Sequence, residues 1–186
     1  MSFLHNIDSA WTLFLDRDGV INVEKDQDYI RNRNEFHFYP GVKENFSILN
    51  RRFGRVLVVT NQRGIGKGLM SEDDLHDIHA YLQDSLKAHG AHIDAFYFAR
   101  DLNIDATDRK PNTGMGLQAK RDFPYIDFLR SVMVGNNLSD MEFGRRLGMH
   151  TVYVHTTKTI PTPHDLVSMD CPDLTTFCRL LDTPKG

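Results

Sequence analysis

The sequence predicts an α/β fold, a single domain with a mostly parallel central sheet and helices on both faces, and three observations carry that prediction. Apolar runs alternate with amphipathic stretches along the chain, the order expected of a βαβ protein. A run such as Arg55 to Thr60 (RVLVVT) is apolar almost throughout, as strands buried on both faces are. Carboxylates, amides and hydroxyls then follow several of these runs, and open α/β sheets gather ligands beyond the carboxyl ends of their strands.

In order, Trp11 to Leu15 reads as the first strand. Ile21 to Glu35 is a polar, Asn- and Arg-rich excursion without a period, longer than the usual connection and of the kind that forms lids or specificity elements. Pro40 opens a helix running to about Arg52, with Val42, Phe46, Ile48 and Leu49 as its apolar stripe. Arg55 to Thr60 is the second strand. Ser71-Glu72-Asp73-Asp74 caps a helix that turns Leu75, Ile78, Leu82 and Leu86 inward. Asp94 to Ala99 is the third strand, Gly116 to Arg121 a short helix, and Ser131 to Val134 the fourth strand. Met141 to Leu147 is helical, Thr151 to His155 is the fifth strand, and Leu174 to Leu181 closes the chain as a helix. No repeat, low-complexity tract or linker interrupts the pattern, so residues 1–186 read as one domain with its motif-bearing core at about 11–155.

The first chemical segment is Asp16-Arg17-Asp18-Gly19, at the end of strand one. An unpaired buried charge costs several kcal/mol, so two acids there need a metal, a cation or solvent. One carboxylate could attack phosphorus while the other handles a proton, with Mg²⁺ between them. Asp and Gly are also ordinary turn formers, so this segment alone is only suggestive.

The second segment is Val58-Val59-Thr60-Asn61-Gln62-Arg63-Gly64-Ile65-Gly66-Lys67-Gly68. Thr60 and Asn61 can point a hydroxyl and an amide at a phosphate, and the glycines free backbone N–H groups. A nucleotide-binding P-loop is excluded: that pattern needs Gly where Asn61 stands and Ser or Thr where Gly68 stands. By itself the stretch also reads as a plain Gly-rich loop. The third segment, Asp108-Arg109-Lys110-Pro111-Asn112-Thr113-Gly114-Met115, places a Lys beside a stiff Pro, a point charge suited to a phosphoryl oxygen. Arg109 adds a fork for a second anionic or hydroxyl-rich group. A merely solvated basic pair is disfavoured at a helix start, where cations oppose the dipole. In the fourth segment, Val132 to Asp140 (VMVGNNLSD), oxygen ligands at the end of a buried strand could complete a Mg²⁺ shell.

Composition excludes other classes. With 40% hydrophobic residues over 186 positions, one full core is affordable, and the net charge of −3 with no dense basic run gives no case for nucleic acid. No stretch approaches the ~20 apolar residues of a membrane span, and Met1 to Ala10 lacks a signal pattern. Two cysteines, Cys171 and Cys178, make no disulfide framework, so a cytoplasmic setting is expected. Of the nine histidines, His5, His76, His79 and His89 show no partner pattern.

The four segments, in this order, resemble the haloacid dehalogenase (HAD) superfamily of phosphatases, and within it the group of heptose-bisphosphate and histidinol-phosphate phosphatases. The resemblance runs from Phe14 to about His155. It implies a Rossmann-like core without a large cap domain. It implies Asp16 as the nucleophile that forms an aspartyl-phosphate, and Asp18 as the acid and then the base. Thr60, Asn61 and Lys110 would hold the phosphoryl oxygens, with Gln62, Arg63, Arg109 and Asn137 near the substrate. Mg²⁺ would be held by Asp16, Asp18, Asn136 and Asp140. Two departures stand out. The family pattern carries Asp where Asn136 stands, which removes one negative charge and weakens Mg²⁺ unless Asp140 or the substrate compensates. The relatives' Cys/His zinc loop has no counterpart in Arg100 to Asp108, so zinc is not expected. The implied substrate is a small phosphorylated metabolite, a sugar bisphosphate such as a heptose 1,7-bisphosphate, recognised through Lys25, Tyr29, Arg31 and Arg33. Histidinol phosphate, broad specificity, and a non-catalytic phosphosugar-binding domain remain as alternatives. The assembly is expected to be a monomer or weak dimer.

Overall fold

The computed structural model describes residues 2–160 and 164–183. Its strands are β1 (Thr12–Leu15), β2 (Arg55–Asn61), β3 (Ala95–Ala99), β4 (Ser131–Gly135), β5 (His150–Val154) and β6 (Met169–Cys171). They form one sheet in the order β3-β2-β1-β4-β5-β6, and every pairing is parallel. The helices are α1 (Val42–Arg52), α2 (Arg63–Gly66), α3 (Glu72–Lys87), α4 (Gly114–Asp122), α5 (Leu138–Leu147) and α6 (Leu174–Asp182). Because successive strand residues point to opposite faces, each central strand feeds two cores. Leu13, Leu15, Val56, Val58, Val132 and Val134 pack with α1, α3 and α6. Phe14, Leu57, Val59 and Met133 pack with Met115 and Ala119 of α4 and Phe143 of α5. A side chain on either face therefore lands in a core, which is why these strands carry no polar alternation.

The expected elements are all present, with ends shifted by a residue or a few. Pro40 does not open α1. Gly41 is its N-cap at φ 78°, a left-handed conformation that suits Gly, and the Pro40 carbonyl instead accepts from Thr175 Oγ1 at 2.9 Å. The Ser71 cap is a full capping box with Asp74. Five elements escaped the sequence reading: 3₁₀ turns at Ser2–Asn6, Arg33–Glu35 and Phe128–Arg130, the four-residue α2, and β6. Met169-Asp170-Cys171 has no strand signature of its own and is ordered by pairing with β5. Cys171 and Cys178 are buried, free, and part of the core.

The chain runs from β1 to β2 and β3 on one side, and then to β4, β5 and β6 on the other. The strand order reverses between β1 and β4, and the crevice for a ligand opens at their carboxyl ends. Asp16 follows β1 there, Asn136 follows β4, and Thr60 and Asn61 end β2.

Candidate active site

A cavity of about 390 Å³ opens at this point, lined by Asp16, Asp18, Thr60, Asn61, Lys110 and Asp140 among others. Asp16 is only 8% exposed. Its Oδ1 accepts from the Arg17 backbone N–H at 2.9 Å and from Lys110 Nζ at 2.9 Å. Among the described residues its Oδ2 has no partner. Burial pushes the Asp16 carboxyl up, to about 7; Lys110 opposes that, and Asp140 and Asp18 add to it.

Lys110 is buried between two acids. Its ammonium meets Asp16 Oδ1, Asp140 Oδ1 at 2.7 Å and the Val59 carbonyl at 2.7 Å, which matches its three donors. Burial alone would lower its pKa, but Asp140 and Asp16 outweigh that and raise it. The second oxygen of Asp140 accepts from the Asn137 backbone N–H at 3.1 Å. Asp140 thus fastens Lys110 to the start of α5, with both oxygens engaged. Asn61 grips the backbone of Lys110 on both sides, accepting from its N–H at 3.0 Å and donating to its carbonyl at 3.1 Å.

Asp18 is held from beneath. Arg17, which is fully buried, donates to both its oxygens at 2.9 Å. Asn22 Nδ2 and Gln62 Nε2 add bonds at 2.9 Å each. Burial pulls the Asp18 carboxyl upward, but Arg17 and these hydrogen bonds prevail and leave it below its ordinary value. Gln62 also donates to Thr60 Oγ1 at 2.9 Å, so it lies under the site rather than on the cavity wall.

The support for Arg17 was not foreseen. Its Nη1 lies 3.3 Å from Nε2 of His79 on α3, and the His79 ring stacks on Phe96 with centroids 4.3 Å apart. Arg can only donate, so His79 accepts through Nε2 and is neutral. Burial and the neighbouring Arg17 push it down to about 3. A folded value below the unfolded ~6.5 means that the unfolded chain binds the extra proton. The stabilisation is complete above pH ~6.5 and falls as pH drops toward 3, by up to about 1.4 kcal/mol per unit. We expect urea titrations of wild type between pH 6.5 and 4.5 to show this slope and His79→Gln to lose one proton's worth of it. Equal slopes would contradict the assignment.

The remaining expected residues divide. Arg63, Asn137 and, from the polar excursion, Lys25 and Tyr29 line the cavity. Arg109 does not: its guanidinium donates to the Leu102 carbonyl. Arg31 pairs with Asp28 at 2.6 Å, and Arg33 approaches Asp77 at 3.9 Å, so neither reaches the cavity. Glu24 and Lys158 line it and were not anticipated. Lys158 follows β5, so a search of every strand end would have found it. Asn136 is fully buried against Gly19, whose φ is 82° and where a Cβ would fall 2.0 Å from Asn136 Nδ2.

The site suits a divalent cation. Among the described residues, six carboxylates but only four cationic side chains line the cavity, a balance that would repel a phosphate dianion. Asp16 Oδ2 and the Asp18 carbonyl accept no hydrogen bond among the described residues. No three His, Cys, Asp or Glu side chains converge as a metal cage among those residues. An ion would therefore rest on one or two carboxylates, carbonyl oxygens and water, as Mg²⁺ usually does. No helix among them is long and apolar enough to cross a membrane.

Comparison with known proteins agrees with this geometry. A HAD-hydrolase-like family model matches residues 107–176. A D-glycero-alpha-D-manno-heptose-1,7-bisphosphate 7-phosphatase of Mycobacterium bovis is 40% identical over 138 residues, 74% of this chain and 73% of its own length. A D-glycero-beta-D-manno-heptose-1,7-bisphosphate 7-phosphatase of Rhodopseudomonas palustris is 35% identical over 144 residues, 73% of this chain and 78% of its own. In fold, the chain superposes on the D,D-heptose 1,7-bisphosphate phosphatase of B. bronchiseptica, solved with magnesium and phosphate. That match has a TM-score of 0.81 at 24% identity and covers 92% of this chain and 97% of the other.

Proposed function

The chain belongs to the HAD-type D-glycero-D-manno-heptose-1,7-bisphosphate 7-phosphatase family, and from that premise we propose that it is a Mg²⁺-dependent phosphatase of a heptose bisphosphate acting through an aspartyl-phosphate. The observation that carries the mechanism is the asymmetry of Asp16: Oδ1 is held by Lys110 and the Arg17 N–H, and Oδ2 is left to react.

Asp16 Oδ2 attacks phosphorus and the bond to the sugar oxygen breaks. Asp18 gives that oxygen its proton. Asp18 then takes a proton from the water that attacks the aspartyl-phosphate, which releases phosphate and restores Asp16. In the free protein Asp18 lies below its ordinary pKa, so it is poised as the base. A phosphate dianion beside it adds like charge and raises its pKa toward the acid's role. Asp16, the Asp18 carbonyl and Asn136 would hold Mg²⁺, which when bound neutralises the phosphoryl oxygens. Lys110, locked by Asp140 and by Asn61, orients Asp16 and adds positive charge beside the reacting oxygen. Thr60, on the cavity wall, is placed to donate to a phosphoryl oxygen.

For the second phosphate, Lys25, Arg63 and Lys158 are further cations lining the cavity, and Arg63 Nε is buried without a partner among the described residues. Relatives of both anomeric types match this chain at comparable identity, so the anomer is left to experiment. Phosphate release should be measured from both heptose 1,7-bisphosphate anomers, histidinol phosphate and simple phosphate esters, with and without Mg²⁺. Mg²⁺-dependent release concentrated on one heptose bisphosphate is expected. Equal rates across all esters would replace this reading with a broad phosphatase, and silence from folded protein with a phosphosugar-binding domain.

A further inference from the structure

Asn136 brings a neutral group to the end of β4, at the carboxyl ends of the strands where the site suited to a divalent cation lies. Asp140, the nearest acid in sequence that could compensate, has both oxygens on Lys110 and the Asn137 N–H. Both oxygens of Asp18 are likewise held by Arg17, Asn22 and Gln62. Asp28 is paired with Arg31.

Among the described residues, one carboxylate accepts a hydrogen bond from Asn136. Glu24 Oε2 accepts from Asn136 Nδ2 at 3.2 Å, and the same amide donates to Thr157 Oγ1 at 2.9 Å. With Nδ2 committed to two acceptors, the amide oxygen is turned the other way, toward Asn137 Nδ2 at 3.2 Å. Glu24 is half-buried, lines the cavity with Asp16, and forms no ion pair among the described residues. Asp16, on the same cavity, is more than nine-tenths buried and keeps an oxygen without a partner among the described residues.

We propose that Glu24, held by the Asn136 amide, supplies the second negative charge of the divalent-cation site. The division is physically economical: Asn136 offers a carbonyl oxygen from a buried position, where a carboxylate would be costly without a cation. Glu24 brings the charge from the rim, where water solvates it until a cation arrives. The inference rests on the phosphatase reading only in placing a divalent cation beside Asp16.

The test is calorimetric titration with Mg²⁺, without substrate, of wild type, Glu24→Gln, Asn136→Asp and the double variant, each first shown to be folded by thermal melting. Glu24→Gln should weaken Mg²⁺ about tenfold, the lower range for loss of an outer-shell partner. Asn136→Asp should rescue it, bringing the double variant within about threefold of wild type. Three results would overturn the inference: no Mg²⁺ binding by wild type, an unchanged affinity in Glu24→Gln, or no rescue. Mg²⁺-dependent hydrolysis by a Glu24→Gln protein of unchanged affinity would sink this inference alone. The expected affinity pattern in a protein that hydrolyses no phosphate ester would sink the phosphatase reading alone.

Discussion

Asp16→Asn is expected to lower turnover by roughly six orders of magnitude, the scale of losing a covalent nucleophile, while leaving the protein at least as stable as wild type at pH 8. The activity loss follows from chemistry, since an amide oxygen cannot form the acyl phosphate. The stability follows from the site. Burial raises the ionised Asp16 carboxyl to about 7, so its charge is a cost of the free protein at alkaline pH. The sign is that of a folded value above the unfolded ~3.8: the penalty is absent at low pH and grows as pH rises. Asn removes it and keeps the bond from the Arg17 N–H, so activity and stability move in opposite directions. Single-turnover phosphate release, paired with urea unfolding at pH 8, would decide. A folded variant that retains burst-phase turnover would remove Asp16 from its role, and one less stable than wild type at pH 8 would overturn the expected gain from losing the buried charge.

Lys110→Met should be damaging to both properties. The ammonium is 1% exposed and stands within hydrogen-bond distance of Asp16 and Asp140. Removing it leaves two buried carboxylates facing one another, at a cost of about 3–5 kcal/mol. Asp16, already raised by burial, loses the cation that opposed the rise, so the loss is greatest at high pH and eases as pH falls and it protonates. Adding Asp140→Asn removes one of the stranded charges and should recover part of the stability but none of the activity. Urea titrations at pH 5.5 and 8 on the single and double variants test this. A Lys110→Met loss that is the same at both pH values would show that the acids are not stranded as the geometry requires.

These two residues were legible in the sequence for a physical reason. A carboxylate at the end of an apolar strand and a Lys before Pro are costly unless they serve a site, so cost itself marks them. The two-core sheet was legible through the same logic, since strands with no polar alternation must be covered on both sides. What escaped depends on distance along the chain. His79 sits on an ordinary amphipathic helix, and its meaning comes from Arg17, 62 residues earlier. Glu24 reads as one acid among several in a polar loop until the fold sets it against Asn136. Arg109 shows the converse error: adjacency to Lys110 suggested a shared task, but neighbouring side chains diverge, and Arg109 is drawn to the Leu102 carbonyl. β6 has no sequence signature because its order comes from its partner strand.

The full commitment of the Lys110 ammonium has a consequence for the end of the reaction cycle. An anion arriving at this lysine finds no idle donor: it must displace a carboxylate or the Val59 carbonyl to gain a bond. Inorganic phosphate, which carries no sugar to add contacts elsewhere in the cavity, has little with which to offset that exchange. The acids and the carbonyl that hold the ammonium are therefore expected to compete with the product for it, which favours release.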